Sequence, residues 1–300
     1  MHNVFEFSPI EKCESVIQQT WAEFREQLAD KKIAYNDIES ARKSTFLRVF
    51  DDMFNQCHDY LEKDMDNILN DDTAIVRAAR LKDGDPVPDY NRFIPKAEFI
   101  KNDNRFSPPG MEWLYLAFSS NVASENLLDC EKCALKECRA KAGDSFALCR
   151  FKPEAKFKKS TLIDLTIAKP FNFEQINADL EQEGQRIVQR EMAKGYKTAL
   201  TRGVIPKPQI EDIIPELKKW VVFTYAKLLA DQIFLPITTE DKNLMYAPFQ
   251  CMAQYFLDKG YAGIVYSSTV FPKCKNVVLF DKSLAVPCGL VKKVVVPVDL

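Results

Sequence analysis

The feature that most restricts the fold is a change of hydrophobic period across Lys82-Asp-Gly-Asp-Pro-Val-Pro-Asp89, where one Gly, two Pro and several acids interrupt the chain. Before it, from Ser8 to Arg80, apolar residues recur at helical spacing: Val16, Trp21, Phe24 and Leu28, then Phe46, Val49, Phe50, Phe54 and Leu61. This predicts about three amphipathic helices. After it come short apolar segments of β-rich composition: Tyr90 to Ile94, Trp113 to Phe118, Ser160 to Ile167, Gly263 to Ser267, Asn276 to Phe280 and Val294 to Val298. Helical patterns separate them at Ser120 to Leu128, Phe173 to Leu200, Pro208 to Ala230 and Met245 to Lys259, the last with Gly260 placed as a C-terminal cap. The expected architecture is therefore α+β, with an N-terminal helical region over 1–82 and a mixed domain over 83–300. The alternation is too irregular for a doubly wound fold. Neither Gly-x-Gly-x-x-Gly nor Gly-x-x-x-x-Gly-Lys-Ser/Thr occurs, which argues against the Rossmann and P-loop nucleotide sites.

At 46% hydrophobic residues, 300 residues can bury a sizeable core. With 41 Lys+Arg against 43 Asp+Glu the net charge is −2, which argues against a general nucleic-acid or membrane-surface binder and favours a small-molecule or protein partner. The first residues lack the basic start and apolar core of a signal peptide, and no run reaches the ~18 apolar residues of a membrane span. The expected location is cytoplasmic, and the nine cysteines are expected to be reduced thiols by default. Only His2 and His58 are present, so histidine acid/base chemistry and His-rich metal sites are not expected.

Within Arg92 to Glu125 the residue types suggest anion recognition. Arg92 and Arg105 carry guanidinium forks suited to phosphate or carboxylate, and both lie near the Ser107-Pro-Pro-Gly110 turn; surface ion pairs are the alternative. Alternation across Trp113 to Phe118 puts Trp113, Tyr115 and Ala117 on one face and Leu114, Leu116 and Phe118 on the other. Glu125 follows a plausible cap at Ser119-Ser-Asn121 and would open a helix, as a ligand contact or as a solvated helix-start carboxylate.

Taken in order, Tyr90-Asn-Arg92-Phe, Asn104-Arg-Phe-Ser-Pro-Pro-Gly110, Leu114-Tyr-Leu-Ala-Phe-Ser119 and Ala123-Ser-Glu125 resemble blocks of the RES domain family, named for its Arg, Glu and Ser. Gly260-Tyr-Ala-Gly-Ile-Val-Tyr-Ser-Ser268 and Asn276-Val-Val-Leu-Phe280 resemble its later blocks, with Gln250 on the helix before them. The resemblance implies a split mixed sheet like that of ADP-ribosyltransferases. It also implies cleavage of the nicotinamide–ribose bond of NAD+, with phosphate or water as acceptor. Protein ADP-ribosylation and a catalytically degenerate interaction module are the alternatives. It assigns catalytic roles to Arg92, Tyr115, Glu125 and Ser267, and ligand contacts to Arg105, Ser268, Tyr266 and Gln250. A toxin or defence role, an antitoxin or immunity partner, and self-association are further expectations. Asn104, Ser107 and Ala262 depart from the family pattern, and the distance from Glu125 to Ser267 calls for an insertion, expected to be helical over about 129–245.

That insertion contains Cys130, Cys133, Cys138 and Cys149. The Cys-x-x-Cys step fits one edge of a tetrahedral structural zinc site, which Cys138 and Cys149 would complete; plain reduced thiols and redox chemistry are the alternatives.

Overall fold

The β-rich segments assemble into one eight-stranded mixed sheet in the computed structural model, which describes residues 10–82, 84–120, 127–167, 242–298 and 300 together with helical positions at 178, 182, 185, 186, 189, 190, 193, 225–229 and 231. The strands are β1 (Glu62–Asp64), β2 (Thr73–Arg80), β3 (Leu114–Ser120), β4 (Ser145–Pro153), β5 (Thr161–Asp164), β6 (Gly263–Ser267), β7 (Lys275–Leu279) and β8 (Ala285–Val295). Their order is β1-β5-β6-β7-β3-β2-β4-β8. All neighbours are antiparallel except β5 and β6, which run parallel. The α+β class expected from the sequence is present.

The helices are α1 (Ile10–Ala29), α2 (Ile38–Ala41), α3 (Thr45–Cys57), α4 (Met65–Ile68), α5 (Asp129–Glu137) and α6 (Lys242–Asp258). Ser44 caps α3, its hydroxyl accepting from the Leu47 amide at 3.2 Å. Gly260, at φ 88°, lets the chain leave α6 through the left-handed region. Among the described residues no helix is long and apolar enough to cross a membrane.

Helices α1, α3 and α6 cover one face of the sheet through an aromatic core. Trp21 meets Phe46 edge-on at 4.8 Å, Phe46 stacks on Phe50 at 6.1 Å, and Phe50 meets Tyr255 at 5.5 Å. The same cluster reaches Ile163, Ile264, Val278 and Phe280 on the sheet. Each fully buried phenylalanine contributes roughly 1.5–3 kcal/mol, so this layer is a principal source of stability. Further along the same face α5 packs Cys130, Cys133 and Leu135 on Ala74, Val76, Ala117 and Leu148. The opposite face buries Ile75, Leu114, Leu116, Cys149, Val265 and Val277 under α4, Phe93 and Leu284.

Several segments depart from their expected form. Thr73–Arg80 continued the helical reading, yet it is a strand near the sheet's middle, and β1 also precedes residue 82; both share the sheet with the strands that follow. The insertion expected to be helical over about 129–245 contains, besides α5, the strand β4, while β5 falls within the expected β segment Ser160 to Ile167. Tyr90–Phe93 is a 3-10 turn instead of a strand, opened by the Asp89 carboxylate accepting from the Asn91 amide at 3.0 Å. Pro86, Pro88 and Pro95 flank it, and prolines cannot donate to a ladder. β8 is much longer than Val294 to Val298 and tolerates Pro287 because it lies at the sheet's edge. The Phe173 to Leu200 and Pro208 to Ala230 patterns are helical at their described positions and lie otherwise outside the described residues, as does most of Ser120 to Leu128.

Gly263 opens β6 where no side chain fits: a Cβ there would sit 2.2 Å from the Val278 carbonyl oxygen on β7. Gly263→Ala is expected to destabilise the protein by about 2–4 kcal/mol, since the clash is with backbone. Equilibrium urea unfolding checks this, and an unchanged midpoint would show that β6 and β7 can move apart at no cost.

Candidate functional site

The ladder between β2 and β3 covers only Thr73–Val76 against Ala117–Ser120. Beyond Val76, β2 continues along β4 as far as Arg80, and the start of β3 pairs with β7. The two strands part there, and a cleft of about 620 Å³ lies at the parting. Val76, Arg77 and Ala78 line it from β2, and Tyr115, Leu116 and Ala117 from β3. The loop from Ile100 to Arg105, the end of α5 with Glu137 and Cys138, Tyr246 of α6, Tyr266 of β6 and Asn276 of β7 complete the walls.

Arg77 is the first residue of β2 past the ladder. Its Nη1 is buried without a hydrogen-bond partner, and burial, reinforced by the charge of Arg92, pulls the guanidinium below its ordinary pKa. It remains a cation at neutral pH. Arg105 is half-buried on the opposing loop and, like Arg77, forms no ion pair among the described residues. The side chains of both arginines are half-buried, with Arg77 Nη1 itself shut away from solvent and without a partner, and the partner both groups suit is a multiply charged anion.

The loop that carries Arg105 is fastened at several points. Gln250 of α6 donates to Asp103 Oδ1 at 3.1 Å and to the Asn104 carbonyl at 3.2 Å. The Asn104 amide donates to the Ser107 carbonyl at 2.8 Å, and Glu112 accepts from the Ala97 amide at 2.9 Å while pairing with Lys282. Ser107 is fully buried, and its hydroxyl lies 2.9 Å from the Tyr115 hydroxyl. Burial raises the Tyr115 pKa far above its usual value despite that bond and the nearby Arg77 and Arg105 charges. Tyr115 is therefore a neutral phenol. Tyr266 is raised likewise, by burial first and by Glu137 second.

At the cleft's other wall, Glu137 Oε1 accepts from Asn276 Nδ2 at 2.6 Å and from Ser268 Oγ at 2.8 Å. Ser268 in turn accepts from the Val270 and Phe271 amides at 3.3 and 3.1 Å. Asn276 Oδ1 faces the Cys133 thiol at 3.6 Å.

Of the residues singled out from the sequence, the cleft gathers Tyr115, Arg105 and Tyr266. Arg92 is exposed on the 3-10 turn and acts on the site only through its charge near Arg77. Ser267 alternates with Tyr266 along β6 and so points to the opposite face. Ser268 is buried and anchors Glu137 and a turn, and Gln250 positions the arginine loop without lining the cleft. Glu125 lies outside the described residues. Arg77, Glu137 and Asn276 were missed. A usable signal existed for Arg77, because Thr73-Ala-Ile-Val76 immediately before it is rich in β-branched residues.

The four cysteines do not form a zinc tetrahedron. Cys130 and Cys133 are buried between α5 and one sheet face, Cys149 belongs to the core on the other face, and the Cys138 thiol points at the Ala78 carbonyl, 3.9 Å away. The sheet itself separates the intended ligands. His58 Nδ1 lies 2.9 Å from Glu62 and 3.1 Å from Asp59 just beyond the end of α3, and Glu62 also accepts from Tyr261.

No family model, curated protein or solved structure matches the chain. The site's chemistry therefore rests on its own geometry: two cations without an ion pair among the described residues, two neutral phenols, and an anchored carboxylate around one opening.

The bond between Ser107 and Tyr115 yields a stability test. Ser107→Ala leaves a buried phenol with one partner fewer and is expected to cost about 1–3 kcal/mol, whereas adding Tyr115→Phe should recover part of that loss. A double-mutant cycle by urea denaturation measures the coupling, and strict additivity would show that the pair does not interact.

Proposed function

We propose that this chain is an NAD+-consuming enzyme that cleaves the nicotinamide–ribose bond, with phosphate or water as acceptor, in a cleft of a split sheet like that of ADP-ribosyltransferases. The observation that carries the reading is the pair of guanidiniums, Arg77 of β2 and Arg105 of the loop before β3, that line one cleft and form no ion pair among the described residues. A pyrophosphate is the ligand group that such a pair recognises well. The cleft's size also suits a dinucleotide, since ligand pockets span roughly 300–1,000 Å³.

The chemistry needs no histidine. Nicotinamide in NAD+ is already cationic and leaves without a general acid. The developing charge is an oxocarbenium-like ribose, which a carboxylate near its hydroxyls stabilises. The family resemblance assigns that carboxylate to Glu125. Tyr115 and Tyr266 offer aromatic surface for a flat ring, and their neutral hydroxyls offer donors. Arg77 takes the role first expected of Arg92.

The test is release of nicotinamide from NAD+ by the purified chain, with and without phosphate. Arg77→Ala and Arg105→Ala are each expected to lower kcat/KM by about tenfold to a hundredfold, the size of a lost charge-assisted contact, while Arg92→Ala costs less. Glu125→Gln should abolish release in a folded protein. Intact NAD+ under both conditions would overturn the reading. Label transferred from NAD+ to protein would replace it with protein ADP-ribosylation.

A further inference from the structure

Glu137 is an exposed carboxylate at the rim of the cleft, held where its own helix does not favour it. It ends α5, where the helix dipole disfavours a carboxylate, and it forms no ion pair among the described residues. Its neighbour Lys136 is directed instead over the Phe271 ring, 5.2 Å from the centroid. Two buried side chains from the β6–β7 region nonetheless hold it at the cleft, both bonding the same oxygen, Oε1. No hydrogen bond within the described residues engages Oε2. A carboxylate fixed at one oxygen and available at the other is a hydroxyl acceptor for whatever fills the cleft.

Both charges act on the same residues. Tyr266 feels Glu137 and Arg105, and Cys138 feels Glu137 and Arg77. One ligand spanning this space must present an anionic group to the arginines and hydroxyls to the carboxylate. A sugar phosphate with a free vicinal diol has both, and a carboxylate reading ribose hydroxyls is an economical way to exclude a phosphate at the same position.

We infer that Glu137 is the specificity residue of the cleft: it binds the free vicinal diol of a ribose phosphate and turns away ligands in which that diol is missing or phosphorylated. The inference deepens the NAD+ reading and rests on it for the identity of the whole ligand, predicting that NAD+ is taken and its 2′-phosphorylated counterpart is rejected. Asn276 and Ser268 are positioning residues that aim the carboxylate.

Calorimetric titration of the full chain with ribose 5-phosphate and with 2-deoxyribose 5-phosphate tests it. Wild type should bind the diol about tenfold more tightly, and Glu137→Gln, which preserves shape, should narrow the ratio to about threefold or less. A purely structural role for Glu137 would weaken both sugars and leave the ratio unchanged. Equal binding of the two sugars by wild type, binding of neither, or an unchanged ratio in the variant overturns the inference. The wild-type comparison stands even if the variant does not fold. Nicotinamide release from NAD+ without a diol preference would sink this inference alone, whereas a diol preference with NAD+ left intact would sink the NAD+ reading and keep Glu137 in its role.

Discussion

The early end of the ladder between β2 and β3 is the constraint on which the site depends. After Val76 and Ala117 each strand keeps its other neighbour, β4 on one side and β7 on the other, so the sheet stays continuous while its middle opens. A closed ladder would fill this space with paired backbone. In the open one Arg77, still paired with Cys149 of β4, is the first β2 residue with no partner on β3, and Tyr115 lines the same opening from β3. The two halves cannot drift far apart, because four residue pairs still join them and α5 packs on both strands. The cleft is thus a built gap, held open by pairing elsewhere.

Around that gap the molecule distributes order unevenly. The aromatic layer of α1, α3 and α6 is packed and largely apolar, and it fixes the back of the sheet. The cleft walls instead carry polar side chains whose partners come from distant segments, such as Glu137 with Ser268 and Asn276, or Gln250 with Asp103. Residues near in space but far in sequence can hold a precise arrangement only if the scaffold beneath them is stiff. The helical layer supplies that stiffness, which gives the N-terminal region a role in positioning the site without lining it.

Much of the scaffold was legible in the sequence. Alternation located β3 and its two faces, the Gly263 to Ser267 segment coincided with β6, and the period from Met245 to Lys259 with its terminal Gly found α6. The failures have physical causes. Thr73–Arg80 is covered on both faces, so it lacks alternation, and its alanines and arginines are good helix formers. That single misreading hid Arg77, which lines the cleft, and left attention on Arg92, which is exposed on a proline-flanked turn. The cysteine spacing suggested a metal site because spacing along a chain does not reveal which side of a sheet a residue occupies. Glu137 had no signal at all: its significance comes from Ser268 and Asn276, more than a hundred positions away. Ser107 likewise carried no signal of its own, its place being set by the contact with Tyr115.

Gln250 links two parts of the protein that are otherwise described separately. It stands on α6, from which Phe249, Met252, Tyr255 and Phe256 are set into the aromatic layer, and it grips the loop that ends in Arg105. Any rotation of α6 about its axis therefore carries the guanidinium with it. The helical layer and the loop that ends in Arg105 are thus coupled through one side chain, so a load applied to the outer helices reaches the wall of the cleft.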